Sequence, residues 1–193
     1  MRMIKLQDLM ISKFHYFIRK EDYKMNVIIE NDNLNKIPFE YISKGDYFLY
    51  DDNTEQKPIP FKRVSESGAL ALGTYHNNKS EDFSCSIGRI MHFYRKIRMI
   101  AVNNVVFYPF GKYYTKIDEC MRVSSAKEVE CGTVILFNNI IYMKAWDNTF
   151  IPIYDLKNQS NNCSLSHLSK VMPSDDVIIL NNFQLELHIN GRF

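Results

Sequence analysis

The sequence lacks long apolar runs and an excess of charge of either sign. No run approaches the ~18 apolar residues of a membrane-spanning helix, and residues 1–5 lack the apolar core of a secretory signal. The formal net charge is only +2, and the isoelectric point is near 8.2. Bulk electrostatics therefore give no indication of a nucleic-acid or membrane partner, and any such partner needs a local patch. We expect a soluble protein of the cytoplasm that does not bind membranes.

Glycine is also scarce, with 7 residues in 193. A phosphate-binding loop needs several glycines close together, and the P-loop and dinucleotide-binding patterns are both absent. The sequence also lacks the G-x-S-x-G motif of serine hydrolases and the H-E-x-x-H motif of zinc proteases. P-loop nucleotide hydrolysis is therefore excluded.

No constellation of acids and bases replaces these motifs. Adjacent acids such as Asp51-Asp52 fall in predicted loops, whereas general acid–base catalysis needs carboxylates held by rigid elements. The 5 histidines are scattered singly along the chain. The sequence thus predicts neither an enzyme nor a cofactor. An enzyme whose catalytic pair is assembled only by the fold is the third alternative for function.

The 4 cysteines give no metal-binding pattern. They form no C-x-x-C pair, and no histidine lies near them at the spacing of a zinc site. Their positions are Cys85, Cys120, Cys131 and Cys163. We predict no bound metal and four small thiols that are buried or half-buried in the fold.

The most informative stretch, residues 101–144, carries the same phrase twice at an offset of 28 residues. Phe107 in the first copy corresponds to Ile135 in the second, and Tyr114 corresponds to Tyr142. Each copy has a turn residue, an apolar run, a polar break and an aromatic-x-Lys segment, which is typical of a β-hairpin. A looser copy lies at residues 42–73. We predict that this hairpin is the building block of the protein.

The predicted fold is mainly β, of the α+β class, with repeated antiparallel hairpin units that could close into tandem small SH3-like barrels. Apolar residues at helical spacing predict short helices over residues 86–99 and 163–172. The predicted organisation is an N-terminal segment, a first β unit, and a region with a helix, two in-register units, a short helix and a C-terminal hairpin. These parts cover residues 1–37, 38–80 and 84–193.

Three local patterns predict further strands. Residues 14–18 and 27–29 form a predicted N-terminal hairpin, and residues 177–180 and 183–189 form a C-terminal one with one buried face. Pro152 removes a hydrogen-bond donor from its strand, so that strand should lie at a sheet edge.

The richest candidate site is the run from Arg89 to Arg98. It combines four cations with two aromatic residues, which suits contacts to phosphates and stacking on bases. A plainer interpretation is an amphipathic helix with its cations in water and its rings in the core. The candidate binding residues in this run are Arg89, His92, Tyr94, Arg95, Lys96 and Arg98.

Three further cations follow aromatic residues at the ends of the hairpin units. If the units stack side by side, Arg63, Lys116 and Lys144 would form a basic row and join the candidate binding site. Edge strands also use such cations to prevent aggregation, so this alternative remains open.

Three short segments of the looser copy have a recognisable spelling: Gly45-Asp46-Tyr47-Phe48, Phe61-Lys62-Arg63-Val64-Ser65 and Ala69-Leu70. Together they resemble a short β-rich module of small uncharacterised phage and bacterial proteins. In those proteins the pattern runs Leu-x-x-Gly-Asp-x-Phe, then Tyr-x-Lys. The resemblance implies a phage-like accessory protein and names no catalytic residue.

The composition points to the same kind of source. The chain has 18 asparagines, 12 tyrosines and 13 phenylalanines, as an AT-rich genome of a phage, virus or low-GC bacterium would encode. We therefore expect a non-enzymatic phage-type protein that binds a host protein complex in the host cytoplasm and inhibits defence or transcription. The alternative is a nucleic-acid-binding module that uses the basic and aromatic patch.

Overall fold

The computed structural model describes residues 14–20, 23–29, 34–51, 58–73, 75–76, 84–109, 121–160, 171–181 and 183–189. These residues form a mainly β protein, as predicted, and one 3₁₀ helix, Phe39–Tyr41, is the only helix among them. The strands are β1 Phe14–Lys20, β2 Tyr23–Ile29, β3 Lys36–Pro38, β4 Tyr47–Tyr50, β5 Ile59–Arg63, β6 Gly68–Ala71, β7 Tyr75–His76, β8 Ser84–Cys85, β9 Ile90–His92, β10 Arg98–Ala101, β11 Asn104–Tyr108, β12 Met121–Ser125, β13 Val134–Phe137, β14 Ile140–Lys144, β15 Phe150–Asp155, β16 Asp176–Leu180 and β17 Phe183–Ile189.

A mixed sheet has the strand order β1-β2-β17-β11. β1 and β2 form an antiparallel hairpin, which confirms the predicted N-terminal hairpin. β17 lies between β2, to which it is parallel, and β11, to which it is antiparallel. Because β17 is a central strand, its polar residues Gln184 and Glu186 are buried as well as its apolar ones.

Two antiparallel sheets share one strand order. The first runs β3-β10-β4-β5-β6-β9 and the second runs β12-β16-β13-β14-β15. In each sheet the strand that comes last in the chain is inserted between the first two: β10 lies between β3 and β4, and β16 lies between β12 and β13. The first sheet has β9 as an additional strand at its edge. A small antiparallel ribbon of β7 and β8 completes the described strands.

Three clusters of buried side chains fill the interior. The largest takes residues from the three larger sheets, including Met25, Leu49 and Ile141. A second cluster, rich in aromatic rings, belongs to the first antiparallel sheet, and a third belongs to the second antiparallel sheet. Each antiparallel sheet therefore packs one face on a core of its own and the other face on the shared core.

The predicted helix over residues 86–99 is wrong. This segment contains β9, a turn and the start of β10, and both strands pair within the first antiparallel sheet. Ile90, Phe93 and Ile97 have helical spacing in the sequence, but in the structure they belong to two short strands and the turn between them. Strand pairing over long sequence distances overrides such a local pattern. Of the second predicted helix, residues 163–170 lie outside the described residues, and Val171 and Met172 are not helical.

The 28-residue register does not correspond to equivalent positions. Phe107 is half-buried in β11 of the mixed sheet, where its ring stacks on Tyr154 at 4.3 Å. Ile135 is fully buried in β13 of the second antiparallel sheet. Tyr114 lies outside the described residues, so its comparison with Tyr142 stays a prediction.

Two predictions about strand position have different outcomes. The strand that contains Pro152, β15, lies at the edge of its sheet, as predicted. The C-terminal hairpin is wrong, although both of its strands form. β16 pairs with β12 and β13, whereas β17 pairs with β2 and β11.

The first antiparallel sheet also takes strands from both sides of the predicted domain boundary at residues 80–84.

Candidate functional site

The turn between β9 and β10 is anchored by Phe93. This side chain is 5% exposed and packs against four rings of the first-sheet core, with centroid distances of 5.1–5.9 Å. Its peptide N–H donates to the carbonyl of Ser67 at 2.7 Å. The next residue, Tyr94, is 84% exposed. Adjacent aromatic residues thus have opposite roles, because one fixes the turn and the other presents a ring to solvent.

The 3₁₀ helix is bonded directly to this turn. The N–H of Phe39 donates to the carbonyl of Ile97 at 2.8 Å, and that of Glu40 donates to the carbonyl of Arg95 at 3.1 Å. Tyr41, on the same helix, is 71% exposed. We call residues 93–98 together with Glu40, Tyr41, Lys44 and Glu66 the turn surface.

The turn surface carries both signs of charge, with cations in excess. Lys44, Arg95, Lys96 and Arg98 are exposed, and the exposed acids are Glu40 and Glu66. Arg95 Nη2 lies 4.0 Å from Glu66 Oε2, and both side chains are about three-quarters exposed. Such an exposed ion pair contributes little to stability. A cavity of about 290 Å³ is lined by Glu40, Lys44, Arg63, Glu66 and Arg95.

The other predicted residues of this run lie close by but are arranged differently. Arg98 donates from Nε and Nη2 to the carbonyl of Lys36, at 3.0 and 2.5 Å, so it also ties β10 to β3. His92 is exposed on β9, and its Nδ1 lies 3.2 Å from Ser67 Oγ. Arg89 is exposed before β9. All six predicted residues between Arg89 and Arg98 are therefore on the surface.

The basic row predicted from Arg63 and Lys144 does not form at the surface. These side chains are 8% and 5% exposed. Arg63 Nη1 donates to the carbonyls of Phe39, Glu40 and Ile42. Lys144 Nζ donates to the carbonyls of Ala126, Lys127 and Val129. Each cation therefore holds a turn together from inside, and Lys116 lies outside the described residues.

A groove of about 520 Å³ lies between the two antiparallel sheets, and we call it the inter-sheet groove. Its apolar lining comes from Val64, Ile90 and Ile151, and its polar lining comes from Ser65, His92, Asp147 and Thr149. Asp147 Oδ1 accepts hydrogen bonds from the main-chain N–H and the hydroxyl of Thr149, at 3.1 and 2.6 Å.

Trp146, next to Asp147, is the residue that sequence reasoning missed. Its ring is held at the seam between the sheets, because Nε1 donates to the carbonyl of Ile87 at 2.9 Å. Its peptide N–H donates to the carbonyl of Gly88 at 3.1 Å. The side chain is nevertheless 58% exposed. The available signal was the chain's single tryptophan standing in a polar turn beside Asp147 and Asn148.

The turn surface and the inter-sheet groove are joined by the turn at residues 65–67. Ser65 lines the groove, Glu66 contacts Arg95 of the turn surface, and Ser67 contacts His92 of the groove. Three exposed aromatic residues accompany this combined surface: Tyr41 and Tyr94 belong to the turn surface, and Trp146 directly precedes Asp147, which lines the groove.

The clearest grouping of titratable residues lies on the mixed sheet. Tyr108 donates from its hydroxyl to Glu186 Oε2 at 3.2 Å, and His188 Nε2 lies 3.8 Å from the same oxygen.

Among the described residues, no group of three or more histidine, cysteine or acidic side chains could hold a metal ion. Nor does the described part of the chain contain a helix long and apolar enough to cross a membrane.

Comparisons with protein-family models, with curated proteins and with solved structures found no match.

Proposed function

We propose that this chain is a non-enzymatic binding protein that docks a protein partner on the turn surface and the inter-sheet groove. The observation that carries this proposal is the exposure of Tyr41, Tyr94 and Trp146. Only four large apolar side chains of the described residues are exposed, and of these Tyr41 and Tyr94 belong to the turn surface and Trp146 directly precedes a residue of the groove lining. Tyrosine, tryptophan and arginine are the residue types that dominate binding energy at protein interfaces.

The rigidity of the surface supports the same proposal. Phe93 anchors the turn in the core, Arg63 fixes the 3₁₀ helix through its carbonyls, and Trp146 is held by its indole N–H. Side chains that are positioned before binding lose less conformational freedom when a partner arrives. An exposed ring held this way is better suited to recognition than a ring on a loose loop.

For the partner, we propose a host protein complex. This follows from the phage-like composition and from the resemblance carried by residues 45–48 and 61–65. An inhibitor that covers a defence or transcription complex needs a docking surface and no catalytic centre. The combined surface would supply such a docking surface.

We also propose that the two antiparallel sheets are copies of one small SH3-like module. The strand order and the pairing registers support this. In each sheet the first residue of the inserted strand lies opposite the last residue of the first strand, which is Arg98 opposite Pro38 in one sheet and Asp176 opposite Ser125 in the other. A buried cation, Arg63 or Lys144, donates to three carbonyls of the preceding turn in each sheet. On this proposal, the segment that matches residues 129–144 is the looser copy at residues 42–73, and not the copy that contains Phe107.

Nucleic-acid binding is the second candidate. Tyr94, Arg95, Lys96 and Arg98 are all exposed within five positions, which suits stacking and phosphate contacts. The formal net charge of the chain is only +2, whereas a protein that binds nucleic acid through many phosphate contacts normally carries a larger positive charge. We therefore favour the protein partner.

The test is affinity capture from a lysate of a candidate bacterial host, with and without nuclease treatment. The baits are the tagged wild type, a Tyr94→Ala/Arg95→Ala variant and a Lys157→Ala control, whose lysine is exposed on a different turn. We expect a protein band that survives nuclease, persists with the control and is lost with the double variant. Equal capture by all three baits would refute the proposed surface, and a band lost on nuclease treatment would favour the nucleic-acid alternative.

A further inference from the structure

We propose that the combined surface binds an extended acidic segment of its partner, with one large apolar side chain of that segment seated in the inter-sheet groove. This inference rests on the proposed function and specifies the chemistry of the partner. It depends on three features of the described residues: the lining of the groove, the strands that border it and the charge of the adjoining turn surface.

The lining of the groove suits an apolar anchor surrounded by polar groups. Val64 and Ile151 are buried and Ile90 is half-buried, so the apolar part of the lining belongs to the packed body of the protein. The hydroxyls of Ser65 and Thr149 lie among these apolar side chains. Binding sites commonly combine an apolar cavity with a few polar groups that fix orientation.

The bordering strands favour an extended segment. Ile90 and His92 belong to β9, and Ile151 belongs to β15. Within the described residues, β9 ends the first antiparallel sheet and β15 ends the second. A strand at a sheet edge can pair with an added extended peptide through main-chain hydrogen bonds. A segment in the groove would therefore run alongside edge strands.

The charge of the adjoining surface selects an acidic segment. The turn surface has four exposed cations and two exposed acids, Arg63 lines the cavity among them, and the groove adds one exposed acid, Asp147, so the excess of positive charge lies on the turn surface. Complementary charge steers partners toward such a surface and disfavours those of like charge. The turn at residues 65–67 connects this surface to the groove, so one segment can reach both.

The experiment uses a random peptide library displayed on phage and panned against the full-length protein. Enriched peptides are then synthesised, and their affinities are measured from the fluorescence of Trp146, the only tryptophan in the chain. We expect enriched sequences that combine Asp or Glu with a large apolar residue. Replacing that apolar residue by Ala should weaken binding about tenfold or more.

Two protein variants test the two halves of the surface. Arg95→Glu/Lys96→Glu reverses exposed charges without touching the core, and Ile90→Ser removes part of the apolar lining. Each should weaken the enriched peptides about tenfold, whereas Lys157→Glu should leave their affinity unchanged. Circular dichroism of every variant checks that it is folded, and the charge-reversal pair keeps the test valid if Ile90→Ser does not fold.

Enrichment of basic peptides, enrichment of none, or equal affinity for the charge-reversal variant would overturn the inference. The proposed function would survive those results if capture of a lysate protein still depended on Tyr94 and Arg95. Loss of that dependence would refute the proposed function separately.

Discussion

Arg63 and Lys144 make matching hydrogen bonds in the two antiparallel sheets. The main-chain carbonyl of Arg63 accepts a hydrogen bond from Gly45 at 2.8 Å, and that of Lys144 accepts one from Gly132 at 2.7 Å. Both glycines have positive φ, which side chains rarely tolerate. The same main-chain hydrogen bond thus closes a turn in each sheet, and in each sheet the buried cation donates to three carbonyls of the segment before that turn.

Lys144→Met should destabilise the protein by about 1–3 kcal/mol, because buried carbonyls lose their donor while the side-chain volume is kept. Lys144→Arg keeps the donors and should cost less. Urea denaturation measures both, and Lys127→Met, at an exposed position, is the control that should stay within about 0.5 kcal/mol of the wild type. A Lys144→Met protein as stable as the control would show that these contacts contribute nothing.

Phe93→Ala and Tyr94→Ala form a matched pair at adjacent positions. Phe93 lies in the aromatic core, so its truncation should cost about 3–5 kcal/mol. Tyr94 is 84% exposed, so its truncation should change the free energy of unfolding by less than about 0.5 kcal/mol. Thermal or urea unfolding distinguishes the two. Similar losses at both positions would contradict the turn described between β9 and β10.

The parts of the fold that were predicted correctly depend on local signals. Polar residues between two apolar runs indicated the β1–β2 hairpin, and the missing donor of Pro152 indicated an edge strand. Local signals of this kind could not predict the strands with which β16 and β17 pair. They are adjacent in the chain with a turn between them, yet each pairs with strands more than 30 positions away.

The candidate site was predicted only in part for the same reason. The exposed cations and Tyr94 came from one continuous run, whereas the inter-sheet groove combines residues near 64, 90 and 150. Arg63 and Lys144 were assigned to the surface because cations usually are solvated. Their burial depends on turns 15–24 positions earlier in the chain, which supply the carbonyl acceptors.

Cys85 should resist alkylation in the folded protein. Burial raises the pKa of its thiol from an ordinary value of 9.0 to about 11, although Arg89 opposes this effect, and Sγ lies 3.4 Å from the carbonyl of Gly73. Since the reactive species is the thiolate, iodoacetamide should modify Cys85 only on unfolding. Peptide mass mapping after alkylation in buffer and in urea measures this. Rapid modification in buffer would contradict the buried thiol.

The same thiol predicts a pH dependence of stability. Because its folded-state pKa is raised, its contribution is fully present below pH 9.0 and is lost as the pH rises toward about 11. The loss should be at most about 3 kcal/mol. Urea denaturation across this range should show a steeper decline for the wild type than for Cys85→Ala. Parallel declines would mean that this thiol does not contribute.

The last prediction separates the two candidate functions at Arg95, Lys96 and Arg98. If these residues bind phosphates, their replacement by Ala should flatten the slope of log affinity against log salt on duplex DNA by about 2–3 units. We expect instead that the wild type shows no such binding. The triple variant should lose its protein partner, since truncating an interface arginine can cost about 2 kcal/mol or more.

The guanidinium of Arg98 also donates to the main-chain carbonyl of Lys36 and so ties β10 to β3. The triple variant must therefore first show a wild-type circular dichroism spectrum. The matched control is Lys127→Ala/Lys157→Ala, which removes exposed cations outside the turn surface. Glu66→Gln adds a second comparison, because removing an acid beside Arg95 should strengthen phosphate binding. Wild-type binding to duplex or single strands that falls with salt, strengthens in Glu66→Gln and disappears in the triple variant would refute the protein-partner proposal.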